Sequence, residues 1–485
     1  MNELFSSINS FLESILFFDI LFGLVDGKSI PFLVAWLIIG GVYLTLKMGF
    51  VNLKMLKHSY HIIIGRYATK EDKGLITPYK SLTTALSATV GLGNIAGVAL
   101  AIVIGGPGAT FWMIVAGFLG MSLKFTEVTL SLKHREFLPD GTIMGGGMEY
   151  LSKGLAEKGM TQFGKVLAVV FALFMIGGAI GGGNTFQVSQ ALGAIGQEVP
   201  FIAQNPWVFG VILAILTGSV ILGGITRIAD TTSKIVPLMV TIYIAASLWI
   251  LLVNITEIPA AFALIFSEAF APTAVAGGMI GVIVQGFQRA VFSSEAGLGS
   301  APIAHAPAKV KYPVRQGMVA LYEPFIDTII VCTMTALVII ITGVWDPANG
   351  HAALIDAKEG AALTAAAYGT VISWFPIVLS FSIFLFAFST MISWSYYGER
   401  AWVYLFGSKS SIIYKFIFLG FIILASIVDT GIMVDFSFML ILAMALPNIL
   451  GLYILSGDVK SDLKEYLKKL KSGELDKEAI RDYKK

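Results

Sequence analysis

Residues 81–104 read SLTTALSATVGLGNIAGVALAIVI. A stretch of this length crosses a bilayer as one helix, at about 20 residues per crossing. Its middle works against a plain helix. Gly91, Gly93 and Gly97 stand there with Asn94, and each glycine in a helix interior costs about 1 kcal/mol relative to alanine. Ser87 and Thr89 lie just before them and add side-chain oxygen. A membrane helix weakened at its centre frees N–H and C=O groups. Hydrocarbon tolerates that only where protein, water or a ligand replaces the lost bonds. The stretch is therefore expected to be a broken helix whose gap holds a small polar solute and an ion.

The rest of the chain fits a membrane setting. Of its 485 residues, 56% are hydrophobic and only 13% charged, and the mean hydropathy is +0.81. Several separate apolar runs of spanning length follow one another, so the fold class is an all-α polytopic membrane protein. A net charge of +2 gives no sign of a nucleic-acid partner. Cys332 is the single cysteine and sits in an apolar run, so no intrachain disulfide forms. Glu3, Glu13 and Asp19 come before any Lys or Arg, unlike the basic start of a cleaved signal peptide.

About 11 transmembrane helices are expected. Residues 1–29 form an N-terminal interfacial segment and 30–50 an extra transmembrane helix. Residues 51–80 are a cytoplasmic linker. A first five-helix repeat covers 81–254, an external connector 255–272, and a second five-helix repeat 273–455. A charged cytoplasmic tail runs over 456–485, where Val459, Leu463, Leu467 and Leu470 make one helical stripe suited to the membrane surface. With the 51–80 linker inside, 31 of the 33 Lys and Arg residues fall on inside segments or their flanks; Lys28 and Lys358 are the exceptions. Positive charge marks the cytoplasmic side, which puts the N-terminus outside and the C-terminus inside.

Five helices per repeat is an odd number, so the two sets run in opposite directions across the membrane. This is a common transporter plan, and it requires the first helix of the second set to be broken as well. Ser293-Ser294-Glu295-Ala296-Gly297-Leu298-Gly299-Ser300 matches Ser87-Ala88-Thr89-Val90-Gly91-Leu92-Gly93-Asn94 at four of eight positions. A break at 291–297 is preferred over one at Gly277–Gly281. Arg289 and Glu295 lie near it, and ionisable groups at membrane depth need partners or water.

Two stretches, TALSATVGLGNIAGVA (Thr84–Ala99) and FSSEAGLGSAPIAHA (Phe292–Ala306), resemble the signature stretches of the alanine or glycine:cation symporter family. The resemblance covers about residues 30–455. It implies the leucine-transporter-type fold, with uptake of a small neutral amino acid together with sodium across a prokaryotic plasma membrane.

Particular residues acquire expected roles. A half-helix starting after a break at Val90–Gly93 presents free N–H groups and a partial positive charge, which suits a carboxylate. Leu92, Gly93 and Asn94 are expected to aim amides at it, with Thr89 and Gly91 beside them. Carbonyls around Val291, Phe292 and Ser293 are expected to take the substrate ammonium. Gln187 is expected to reach the substrate, just past the glycine run Gly177–Gly183, whose spacing also suits close helix packing. Phe386, Ser389 and Thr390 share one helical face. The resemblance implies a sodium site from backbone oxygens of Ser87 and Val90, the Phe386 carbonyl, and the Ser389 and Thr390 side chains. The competing reading has Ser and Thr bonding back to their own helix. Thr390 is also expected at the substrate, and Trp394 and Phe292 are expected to wall a small pocket; an interfacial anchor is the other reading of Trp394. Arg289, Glu295, Glu323 and Asp327 are expected to form an ion-pair network that helps close a cytoplasmic gate.

Other motifs fall away. Gly91–Gly97 fits G-x-G-x-x-G, but no strand or βαβ unit precedes it. H-E-x-x-H, C-x-x-C and G-x-S-x-G do not occur, so no enzyme is expected, and the five histidines are scattered. Proton coupling through Glu295 or Asp327 on the same fold, and a channel or non-transporting sensor, are the alternatives.

Overall fold

The computed structural model describes residues 7, 10, 11, 13–20, 29–139, 141–271 and 278–479. The expectation for residues 1–29 falls largely outside this set. Among the described residues, seven helices are long and apolar enough to cross a membrane. The bent pair Pro78–Thr89 and Gly93–Gly105 makes an eighth crossing. Phe32–Lys47, Pro206–Ile221 and Gly278–Ser294, of 16 or 17 residues each, fill the remaining places of an eleven-span bundle.

The two five-helix sets interlock. Thr161–Ile180 packs on Phe375–Phe406, and Pro206–Ile221 packs on Ser411–Ala425. These are the third and fourth helices of the two sets. Between helices in lipid, small residues allow the close approach that dispersion needs. A methyl group on Gly181 would stand 2.9 Å from Ser437 Cα. One on Gly177 would stand 3.3 Å from the Leu440 side chain. The packing role read from the glycine run is therefore present.

Several helices outrun their apolar cores, because hydropathy marks only the part inside hydrocarbon. The fifth helix of the first set starts at Gly224, and its polar first turns carry Asp230, which pairs with Lys80 at 2.6 Å. The last span runs on as a helix to Lys471. The stripe at Val459 and Leu463 is buried against protein: Tyr466 meets His58 at 2.9 Å, and Lys133 meets Asp462 at 2.7 Å. The tail helix thus docks on the end of the bundle that carries most lysines and arginines. The sequence reading instead laid it along the membrane.

Candidate substrate and ion site between two broken helices

The first break lies where the glycines predict it. The last α-helical bond before it joins Val90 N–H to Leu86 O at 2.7 Å, and the chain turns by 51° before Gly93–Gly105. Gly91 is needed for close approach: a methyl group there would stand 2.3 Å from Thr390 Oγ1. Side chains occupy part of the gap. Gly91 N–H donates to Asn94 Oδ1 at 2.9 Å, and Leu92 N–H donates to Gln187 Oε1 at 3.2 Å. Gln187 Nε2 donates onward to Gly182 O at 2.9 Å. Asn94 N–H returns to Gly91 O at 3.2 Å. Of the three amides expected to face a carboxylate, those of Leu92 and Asn94 are engaged within the protein. The Gly93 amide has no partner among the described residues. Thr89 turns back on its own helix, with Oγ1 at 3.3 Å from Ala85 O. Asn184 points away, donating to Phe418 O at 2.7 Å.

The second break begins later than 291. Gly278–Ser294 is helical throughout, and Glu295 N–H still donates to Val291 O at 2.8 Å. Ala296 N–H then turns to the Ser294 hydroxyl at 3.3 Å, which releases the Phe292 carbonyl from its helical partner. Glu295, Gly297 and Gly299 follow at φ of 57°, 87° and 76°, a left-handed path that favours glycine and strains Glu295. Helical bonding therefore holds through 294, and the alternative at Gly277–Gly281 lies at the edge of the described residues.

The two breaks meet. A methyl group on Gly93 would stand 3.1 Å from Ser293 Cα. Asp327 ties the breaks together from a π-helical segment, Phe325–Cys332. Asn94 Nδ2 donates to Asp327 Oδ1 at 2.6 Å, and Ser293 Oγ donates to Asp327 Oδ2 at 2.9 Å. Thr328 Oγ1 adds a third bond at 2.8 Å. Two further π-helical segments, Gly93–Gly97 and Gly181–Thr185, border the same gap. Wide turns of this kind gather at functional sites.

The expected sodium oxygens also gather. Thr390 Oγ1 donates to Ser87 O at 3.1 Å, and Ser87 Oγ donates to Ser389 O at 2.8 Å. Ser389 Oγ bonds back to Phe386 O at 3.1 Å, the behaviour of an ordinary helical serine. Thr390 instead crosses to the break. Ser393, absent from the expected set, donates to Ser87 Oγ at 2.9 Å. Ser87, Phe386, Ser389 and Thr390 thus supply hard oxygen, the donor chemistry a monovalent cation requires. Val90 ends its helix alongside, with ψ at 83°. Trp394 is 1% exposed, and a methyl group on Gly183 would stand 2.3 Å from its ring; it is not an interfacial anchor. Phe292 packs edge-on to Phe186 at 4.8 Å and stacks on Phe438 at 5.6 Å.

The four intramembrane charges do not form one network. Glu323 pairs with Lys124 at 3.0 Å and meets His305 at 2.5 Å. Glu295 accepts from Ser300 Oγ at 2.5 Å. Asp327 belongs to the breaks. Arg289 lies apart, its guanidinium 4.7 Å from the centre of the Phe438 ring, and borders a 550 Å³ cavity also lined by Lys358 and Asp435. The sequence counted Lys124 as a flank of an inside loop and passed over Glu127, whose Oε1 accepts from Asn448 at 2.6 Å and from Gly299 N–H at 3.2 Å. Only the spacing Lys124-x-x-Glu127 inside an apolar run hinted at a buried pair of charges. Among the described residues Arg289 Nε and Nη1 have no hydrogen-bond partner, and an unpaired buried charge is costly. Arg289→Met is therefore expected to leave the melting temperature in detergent unchanged or raise it. A fall of several degrees would mean that Arg289 holds an essential partner.

A bundle of membrane-length helices with two interrupted helices meeting midway is the architecture of a secondary transporter. The chain is a transporter and not an enzyme. It belongs to the sodium:alanine symporter family, whose family model matches residues 17–480, as the two signature stretches led us to expect. The sodium/alanine symporter AgcS of Methanococcus maripaludis is 40% identical over 437 residues, covering 90% of this chain and 94% of that protein. The probable sodium/glutamine symporter GlnT of Bacillus subtilis is 32% identical over 444 residues, covering 91% and 89%. The solved structure of MhsT in complex with L-phenylalanine shares the fold at a TM-score of 0.51 and 18% identity, covering 78% of this chain and 88% of that one.

Proposed function

We propose that this chain carries a small neutral amino acid, alanine or glycine, into the cell together with sodium by alternating access. The observation that supports this best is the narrowness of the gap. Gly91, Gly93 and Gly183 face Thr390, Ser293 and Trp394 so closely that a single methyl group would collide with or press on each. Space measured in methyl groups suits a substrate whose side chain is a hydrogen or a methyl. In this reading the Gly93 amide takes the substrate carboxylate, with Gly91, Leu92 and Asn94 shaping the turn. The Phe292 carbonyl, near Val291 and Ser293, takes the ammonium. Gln187 holds the break open, and Thr89 supports its own helix. Ser87, Val90, Phe386, Ser389 and Thr390 hold the sodium ion. The basic end of the bundle is cytoplasmic, the N-terminus is outside, and the setting is a prokaryotic plasma membrane.

Asp327 supports a second reading. Its carboxylate is fully buried among the neutral side chains of Asn94, Ser293 and Thr328. A buried carboxylate requires a cation or a proton, so the coupling ion on this side of the gap is sodium or a proton. Uptake of labelled alanine into proteoliposomes under an imposed sodium or proton gradient separates the two. Sodium alone is expected to drive accumulation above the outside concentration. Accumulation driven by a proton gradient without sodium would establish the second reading, and equilibration without accumulation would indicate a channel. Comparison of glycine, both alanine enantiomers and larger neutral amino acids tests the size limit. Asp327→Asn keeps the shape and removes the charge. Hydrogen bonds to charged groups are worth about 1.5–3 kcal/mol, so sodium-driven uptake is expected to fall roughly tenfold to a hundredfold. Unchanged uptake with unchanged sodium dependence would separate Asp327 from coupling.

A further inference from the structure

The tail helix leaves the membrane beside the end of the first span. Lys47, the last residue of Phe32–Lys47, donates to Ser456 Oγ at 2.8 Å and to Tyr43 OH at 2.6 Å. Ser456 follows the apolar part of the last span, so this bond marks the membrane boundary on both helices. A groove of about 820 Å³ starts at that level and runs between residues 46–49 and the tail helix. Its floor is apolar, from Leu46, Met48, Leu463 and Leu467. Its rim carries Lys47, Lys460, Lys464, Lys468 and Lys471 against one carboxylate, Glu465.

The lysines of the rim differ from the rest of the tail. Lys460, Lys464, Lys468 and Lys471 follow one another at three- and four-residue spacing, so they share a helix face. None of the four has an ion-pair partner among the described residues, while Lys469 on another face pairs with Glu474 at 3.0 Å. Among the described residues Lys47 has only neutral partners. Like charges at this spacing destabilise a helix by a few tenths of a kcal/mol per pair. Leu46, which lines the groove, is 61% exposed.

We propose that this groove binds an anionic phospholipid, with the phosphodiester on the lysine rim and the acyl chains along the apolar floor and the first span. Five ammonium groups against one carboxylate select a negative headgroup. The apolar floor and the position at the membrane boundary select a lipid over a soluble anion. Each lysine near a membrane surface contributes about 1 kcal/mol toward an anionic lipid.

The full-length protein is reconstituted in bilayers of phosphatidylcholine and phosphatidylglycerol and extracted into mild detergent. The lipid retained per chain is then counted by native mass spectrometry. Wild type is expected to retain phosphatidylglycerol in preference to phosphatidylcholine. The triple variant K460Q/K464Q/K468Q is expected to lose that retention roughly fivefold or more. K460R/K464R/K468R is expected to keep it, as is K469Q, which alters a lysine outside the groove. The charge-preserving arginine variant separates loss of the site from loss of fold. Equal retention of the two lipids by wild type, or unchanged retention by the glutamine variant, overturns the proposal. So does displacement of the lipid by inorganic phosphate but not by chloride at equal ionic strength, which would make the rim a site for free phosphate.

Discussion

Gly91→Ala is expected to lower sodium-driven alanine uptake in proteoliposomes roughly tenfold to a hundredfold, while Gly97→Ala leaves it within about twofold. The added methyl at Gly91 would stand 2.3 Å from Thr390 Oγ1 and 3.3 Å from Gln187 Oε1. Overpacking of a close-packed interior costs about 1–3 kcal/mol, and each 1.4 kcal/mol is a factor of ten in rate. Here the displaced groups are those that tie the first break to Ser87 and Gly182. Gly97 lies six residues on, in the segment after the break, and a methyl there would meet no atom within 4 Å. The pair of variants therefore separates the loss of one contact from a general effect of alanine in a glycine-rich helix. Membrane insertion and yield are expected to match wild type for both. If Gly91→Ala transports normally, the gap is looser than the fold indicates and the proposed site is wrong.

Lys124→Met is expected to be among the most destabilising single changes in the membrane interior. Lys124 and Glu323 are both fully buried and lie 3.0 Å apart. Removing the ammonium leaves Glu323 with His305 as its remaining side-chain partner among the described residues. Breaking a buried pair from one side costs about 3–5 kcal/mol, because the remaining charge stays uncompensated. The melting temperature in detergent should fall by several degrees and the yield should drop. The double variant Lys124→Met with Glu323→Gln should recover much of the loss, since the two residues share one interaction. A double variant no better than the single one would show that Lys124 acts through Glu127 or Glu295 instead.

The first break was legible because glycine, asparagine and hydroxyl side chains crowd the centre of an apolar run, and that conflict is local in sequence. The second was placed near Glu295 by its match to the first and by the ionisable Arg289 and Glu295, yet its helix continues through Ser294. Glycine marks where a chain turns, whereas the last helical bond depends on which amide finds the Ser294 hydroxyl first. Trp394 could be read two ways because a tryptophan near a helix end suits a membrane interface as well as a core. Gly183, more than two hundred residues earlier, decides the matter by leaving room for its ring. Gly360–Gly369 gave no signal of its role, since it is neither long nor strongly polar. It covers the first break, with Thr364 Oγ1 donating to Ile95 O at 3.1 Å.

Apolar length, charge asymmetry and glycine spacing determined the membrane setting, the approximate span count and the first interrupted helix, while the family was read from the resemblance of two signature stretches. These properties act within one helix or along one face of the bilayer, so a linear reading captures them. Which oxygens gather around the gap was decided only by packing. So was the division of the buried charges, with Asp327 bridging both breaks, Lys124 held by Glu323, and Arg289 set apart over Phe438. Partners far apart in the chain satisfy buried polar groups, and several helices fitted the same hydropathy pattern until their small residues fixed which faces touch.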